Sequence, residues 1–142
     1  MIDARTAPFA ALVLRLTLGA MFLAHAGLKI FVFTPAGFVK NFGGLGLPAW
    51  LAYFIIAIEI VGGLALILGV LARWAALILS AELVVTIVMV HGARGFLFTN
   101  PGGGWEFPAL WAASALALAL LGDGAYALIR SWPDRANPAL RS

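Results

Sequence analysis

The chain has 142 residues, of which 63% are hydrophobic and 11% charged, and a formal net charge of +3. A water-wetted domain carries roughly a quarter charged residues, so this composition excludes an ordinary soluble fold and indicates an integral membrane protein of one unit. The small, scattered positive charge does not suggest nucleic-acid binding. The absence of cysteine excludes structural disulfides, thiolate metal sites and a thiol–disulfide relay carried by this chain alone.

Four apolar stretches approach the roughly 20 residues that cross a hydrocarbon core. The first runs from about Pro8 to Phe31 and is interrupted by Arg15, His25 and Lys29. Arg5, the apolar run after it and Ala24-His25-Ala26 resemble a cleavable signal peptide, but Arg15 divides the apolar run, so cleavage is not expected. After this span, Thr34 is placed to cap a short helical turn opened by Pro35 and closed by Gly43-Gly44. Phe38 and Phe42 lie four apart, giving that turn an apolar side for the membrane surface. The second span runs from about Ala49 to Leu71 with Glu59 inside it. A tight hairpin at Arg73 leads into the third, to Val90, with Glu82 inside it. Asn100-Pro101-Gly102-Gly103-Gly104 signals a turn before the fourth span, Glu106 to about Ile129. Residues 131–142 read as a polar tail.

The alternating pattern of a membrane barrel is absent, so the predicted fold is all-α: a four-helix membrane bundle with an interfacial helical segment between the first and second spans. Four spans place both termini and the hairpin on one side with Arg5, Arg73, Arg130, Arg135 and Arg141, against Lys29, Lys40 and Arg94 on the other. That asymmetry predicts cytoplasmic termini. Trp74, Tyr126 and Trp132 on the inner side, and Trp50 and Trp105 on the outer, are placed as interfacial anchors.

The ionisable residues within the spans are the informative ones, because a charge at the bilayer centre costs on the order of 3 kcal/mol and needs a partner or a wet cavity. Counting the helical rise from the inner surface puts Arg15 at about 12 Å, Glu82 at about 13 Å and Glu59 at about 18 Å. The expectation is an ion-pair cluster in which Arg15 meets Glu82, Glu59 or both, since guanidinium stays charged and binds two carboxylates. Two readings stand open for it: a clasp fixing helix register, or a proton or ligand site. Gly19, Gly62 and Gly63 would let the helices approach closely.

A second polar group collects toward the outer side. His25 and His91 come out at about 26 and 27 Å from the inner surface, with Lys29, Trp105 and Glu106 at the outer span ends. Two histidines at one depth in a bundle invite haem. A quinone suits the group better than haem, since it needs an apolar slot and one or two hydrogen-bonding side chains such as His25 or His91. A plain interfacial polar belt is the bland alternative. No metal site is read from the sequence.

Taken in order, Arg15-Leu-Thr-Leu-Gly19, Ala26-Gly27-Leu28-Lys29, Gly46-Leu47-Pro48, Glu59-Ile-Val-Gly-Gly63, Leu68-Gly69 with Arg73, Trp105-Glu106-Phe107-Pro108 and Gly122-Asp123-Gly124 resemble the DoxX family of small four-span membrane proteins. Asp123 stands where that family often has proline, and no Ser-Leu-Asp follows. The resemblance spans about residues 10 to 130 and implies an inner-membrane protein. It also implies association with redox complexes: the related DoxD subunit belongs to thiosulfate:quinone oxidoreductases, and mycobacterial relatives are linked to oxidoreductase complexes and oxidative stress. Eukaryotic relatives act as cargo receptors or assembly chaperones. The expected function is therefore a quinone-associated accessory subunit. A membrane scaffold or assembly factor and a small-molecule or proton transporter are alternatives. The expected partners are the lipid bilayer, other subunits of such a complex, or further copies of the chain.

Overall fold

In the computed structural model, residues 3–132 are described, and among them the fold is all-helical. Helix α1 (Ala7–Gly27) continues through one π-helical turn, Leu28–Val32. Helix α2 (Pro35–Gly44) follows, then α3 (Ala49–Leu68). Helix α4 (Ala72–Thr86) continues through a second π-helical turn, Ile87–His91, and a 3₁₀ turn, Gly92–Arg94. Helix α5 is Glu106–Leu121. The continuous helical stretches Ala7–Val32, Ala49–Leu68 and Ala72–Arg94 are long and apolar enough to cross a membrane, and α5 is a shorter apolar helix of 16 residues.

The four long helices close a ring in which α1 packs on α3, α3 on α4, α4 on α5 and α5 on α1. The core is small-to-large packing: Phe22, Leu66, Leu79 and Leu118 fill it against Ala72, Ala76 and Ala115. Small residues set how close the helices come. A Cβ on Gly19 would lie 2.8 Å from the Gly63 carbonyl oxygen, so α1 and α3 touch backbone to backbone there. Gly62 makes room for the Leu79 side chain of α4. The outward faces carry exposed Val, Leu, Ile and Phe, as a lipid-facing surface requires.

Helix α2 begins as expected, with the Thr34 hydroxyl accepting from the Gly37 amide at 3.2 Å. Its apolar side is turned onto protein: Phe42 is buried with Ala52 and Ile55 of α3, and Phe38 stacks on Phe42 at 4.7 Å. The tight hairpin is also present. Gly69 closes α3 at φ 68°, where a left-handed residue satisfies the last carbonyls.

One boundary differs from the sequence reading. The fourth helix ends at Leu121, eight residues before Ile129, and residues 122–132 form a strap across the end of the bundle. Gly122 and Gly124 take positive φ and break the helix, although the apolar run continues through Ala125, Ala127, Leu128 and Ile129. The strap is pinned by backbone bonds. Ala125 donates to Pro8 O at 2.9 Å, Ile129 donates to Gly69 O at 3.0 Å, and Leu71 donates to Ile129 O at 2.8 Å. The polar tail assigned to 131–142 lies almost wholly outside the described residues.

Candidate functional site

The first buried charge is Arg15, whose side chain is 1% exposed. Its Nη1 donates to the Asp123 carbonyl at 2.6 Å and its Nη2 to the Ala125 carbonyl at 3.2 Å. Gly69 lies against the same guanidinium, and only a residue without Cβ fits there. The expected pairing of Arg15 with Glu59 and Glu82 is therefore corrected: among the described residues no ion pair joins them, and the partners are strap carbonyls. For Glu59 the reason is directional. Side chains on a helix tilt toward its N-terminus, so Arg15 leans toward the start of α1 while Glu59 on the antiparallel α3 leans away from it; Glu82 is taken up by Thr86 and the charge of Lys29.

The same tilt brings Lys29 down toward Glu59. Lys29 Nζ lies 2.5 Å from both Glu59 carboxylate oxygens, with side-chain exposures of 15% and 4%. The pair is a forked, charge-assisted contact buried within the bundle. Glu82 sits within electrostatic reach of both, and the Lys29 charge also acts on His25. One Glu82 oxygen accepts from the Thr86 hydroxyl at 2.9 Å, and the other is buried with no partner. Lys29, predicted in the outer group, thus joins the two glutamates predicted in the inner one.

The rest of the outer group divides. His91 Nδ1 meets the Gly103 carbonyl at 2.8 Å, Arg94 donates to Gly102 O, and Asn100 donates to Arg94 O at 2.8 Å. Glu106 Oε1 accepts from the Phe98 amide at 2.8 Å, and Trp105 packs edge-on to Phe96 at 4.8 Å. These contacts fold the connection from His91 to Glu106 back on itself. His25 belongs to neither set: its ring stands edge-on to Trp111 at 4.8 Å.

Trp111 is the functional candidate that the sequence reading missed. It is 5% exposed, its ring centroid lies 4.5 Å from that of Phe22 and 6.0 Å from that of Phe107, and its indole N–H is buried without a partner among the described residues. Its position one turn inside the charged start of α5 was the available signal. Phe98, Glu106, Phe107 and Leu110 line an open groove of about 440 Å³ at that end of the bundle. A run of rings, Phe98, Phe107, Trp111 and His25, leads from the groove wall toward the interior. Chemically, the groove offers flat apolar walls and one carboxylate acceptor, with a spare indole donor a ring further in.

Comparison with known proteins agrees with this membrane architecture. The DoxX family model matches residues 10–92. The chain is 33% identical over 117 residues to a Bacillus subtilis protein named "Putative oxidoreductase CatD", covering 82% of each chain. It is 35% identical over 122 residues to an uncharacterized protein of Haemophilus influenzae, covering 85% of this chain and 89% of that one. No solved structure matches significantly. With the family model matching more than half its length and two relatives aligned over most of theirs, the chain belongs to the DoxX family of membrane proteins.

Proposed function

We propose that this DoxX protein is an accessory subunit of a quinone-linked oxidoreductase complex, set in the inner (plasma) membrane with both termini cytoplasmic. The observation that carries the reading is the aromatic groove at the start of α5, where Phe98, Phe107 and Leu110 flank Glu106. Such a slot takes a planar ring and an isoprenoid tail, and a single polar group suffices to orient it. Trp111, packed behind Phe107 and buried, backs the aromatic wall of the groove. The oxidoreductase name of the Bacillus subtilis relative supports the same class of partner.

A bound quinone supplies two-electron, two-proton redox chemistry. The chain's own part is to bind and shield it: Phe98 and Phe107 hold the ring, Glu106 accepts from a hydroxyl of the reduced quinol, which the oxidised ring lacks, and Trp111 and His25 lie behind Phe107. The test is titration of the full-length chain in nanodiscs with a short-tailed quinone, read by tryptophan fluorescence. Saturable quenching, weakened about tenfold by Phe107→Ala and less by Glu106→Gln, is expected. Partitioning without saturation, identical in the variants, would refute the reading.

A proton or small-molecule transporter is the second reading, favoured by the Glu82 oxygen left without a partner beside the Lys29–Glu59 pair. Proton flux in proteoliposomes that Glu82→Gln abolishes would select it over the first.

A further inference from the structure

Among the described residues that line the groove at the start of α5, the charged one is Glu106, and a carboxylate accepts hydrogen bonds without donating any. We infer that Glu106 makes the groove selective for the reduced quinol over the oxidised quinone, an inference that rests on the quinone-linked reading above.

The carboxylate is held in place by the connection that precedes it. Three backbone bonds staple that connection: Gly104 donates to Leu97 O at 3.0 Å, Trp105 to Gly95 O at 3.1 Å and Glu106 to Phe96 O at 3.0 Å. They bring the Phe98 amide to the side chain, whose Oε1 accepts from it at 2.8 Å. Glu106 is also the first residue of α5, where the positive end of the helix dipole favours a negative charge. Tethered in this way, the carboxylate cannot swing away without breaking its bond to Phe98. A ring entering the groove meets it as a fixed acceptor.

The two redox forms differ in what they bring to that acceptor. A quinone offers carbonyl oxygens, which only accept, and two acceptors side by side repel. A quinol offers hydroxyls, each a donor, and a hydroxyl bonded to an ionised carboxylate makes one of the stronger hydrogen bonds. Phe98, Phe107 and Leu110 carry apolar side chains that grip both forms alike. The Phe98 and Phe107 rings stand 6.1 Å apart at 60°, two walls for the ligand ring, and the exposed Leu110 leaves an apolar side for its tail. Grip and redox selectivity thus reside in different residues. A tenfold preference for the reduced form raises the midpoint potential of the bound two-electron couple by about 30 mV. The preferred ligand is supplied by a reaction that passes two electrons and two protons to the quinone, and the groove retains the product of that reaction.

Immobilised nanodiscs carrying the full-length chain, equilibrated without oxygen in equal concentrations of a short-tailed quinone and its quinol, test the inference. The retained forms are quantified by chromatography after subtraction of empty nanodiscs. Quinol is expected to exceed quinone about tenfold in the wild type, the size of one hydrogen bond to a charged group. Glu106→Gln is expected to bring that ratio to about two, because a neutral amide oxygen accepts more weakly than a carboxylate. Phe107→Ala is expected to lower the retention of both forms and keep their ratio. Equal, saturable retention of the two forms by the wild type overturns the selectivity and leaves the quinone-linked reading standing. A ratio that Glu106→Gln does not change overturns the assignment to Glu106. No saturable retention of either form overturns both. Glutamine keeps an oxygen for the Phe98 amide, so the connection is expected to stay folded, and the wild-type ratio decides without any variant.

Discussion

The first helical stretch, α1 with the π-helical turn that continues it, carries the cations Arg15 and Lys29, and the protein neutralises them by different means. Arg15 is held by two backbone carbonyls of the strap, which carry partial charges and belong to a chain segment already fixed by its own hydrogen bonds. Lys29 is held by a full carboxylate, Glu59, with a second carboxylate, Glu82, nearby, one of whose oxygens has no partner among the described residues. The first arrangement fastens two chain segments together and leaves Arg15 Nε without a partner among the described residues. The second has more acid than base and leaves a Glu82 oxygen without one. The buried guanidinium thus bonds directly only to carbonyls, with the Asp123 carboxylate acting on it through space, whereas the Glu59 carboxylate is in direct contact with its cation.

The comparison is broken most directly at Lys29. Lys29→Ala strands Glu59 in the interior and is expected to cost about 3–5 kcal/mol, measured by denaturant or thermal unfolding in detergent. Adding Glu59→Leu to Lys29→Met is expected to recover most of that loss, since removing both charges also removes their desolvation. Failure of the double variant to recover would show that the pair does more than neutralise itself.

At the other end, Arg15→Met removes two charge-assisted bonds and is expected to cost about 3 kcal/mol. It should also raise proteolysis within residues 122–130, whereas Lys29→Ala should leave that segment protected. Gly69→Ala attacks the same clamp from outside: at φ 68° its new Cβ meets the guanidinium and the Ala127 backbone, for about 2 kcal/mol.

Asp123→Asn is the mildest change, at about 1 kcal/mol, because Asp123 caps the first turn of α4 from a distant part of the chain. It also sharpens the comparison through pH. Burial pushes the Asp123 carboxyl up, but the bonds from Ser131 and the Arg73 amide, with the Arg73 charge, outweigh it and hold the carboxyl below its usual range. With the folded value below the unfolded one, this stabilisation is complete above about pH 4–5 and is lost as pH falls through the folded value. Wild-type protein should lose unfolding midpoint over that acid range more steeply than Asp123→Asn.

Hydropathy made the helices legible, because lipid leaves the backbone no other way to satisfy itself. Thr34 and Pro35 marked the start of α2, and the small residues Gly19, Gly62 and Gly63 marked the close contacts, since both signals are local. The end of α5 was hidden by the apolar residues after Gly124, although Gly122 and Gly124 were in plain view. Arg15's partners were not legible. Carbonyl acceptors have no residue identity, and depth counted along a helix axis ignores the tilt of the side chain, which separates Arg15 from Glu59 and joins Lys29 to it. Trp111 went unremarked because an aromatic in a span reads as core until its N–H is found without a partner.

The shortness of α5 has a further effect on the surroundings. Sixteen residues rise about 24 Å, some 6 Å less than a typical hydrocarbon core of about 30 Å. A bilayer meets such hydrophobic mismatch by thinning locally, at fractions of a kcal/mol per ångström. Such thinning is expected along the flank that α5 presents, and two cavities open at the ends of that same helix, the groove beside Glu106 and one lined in part by Arg73. Thinning there would bring the headgroup layers closer to Glu106 at one end of α5 and to Arg73 at the other, while the longer helical stretches match a bilayer of ordinary thickness elsewhere.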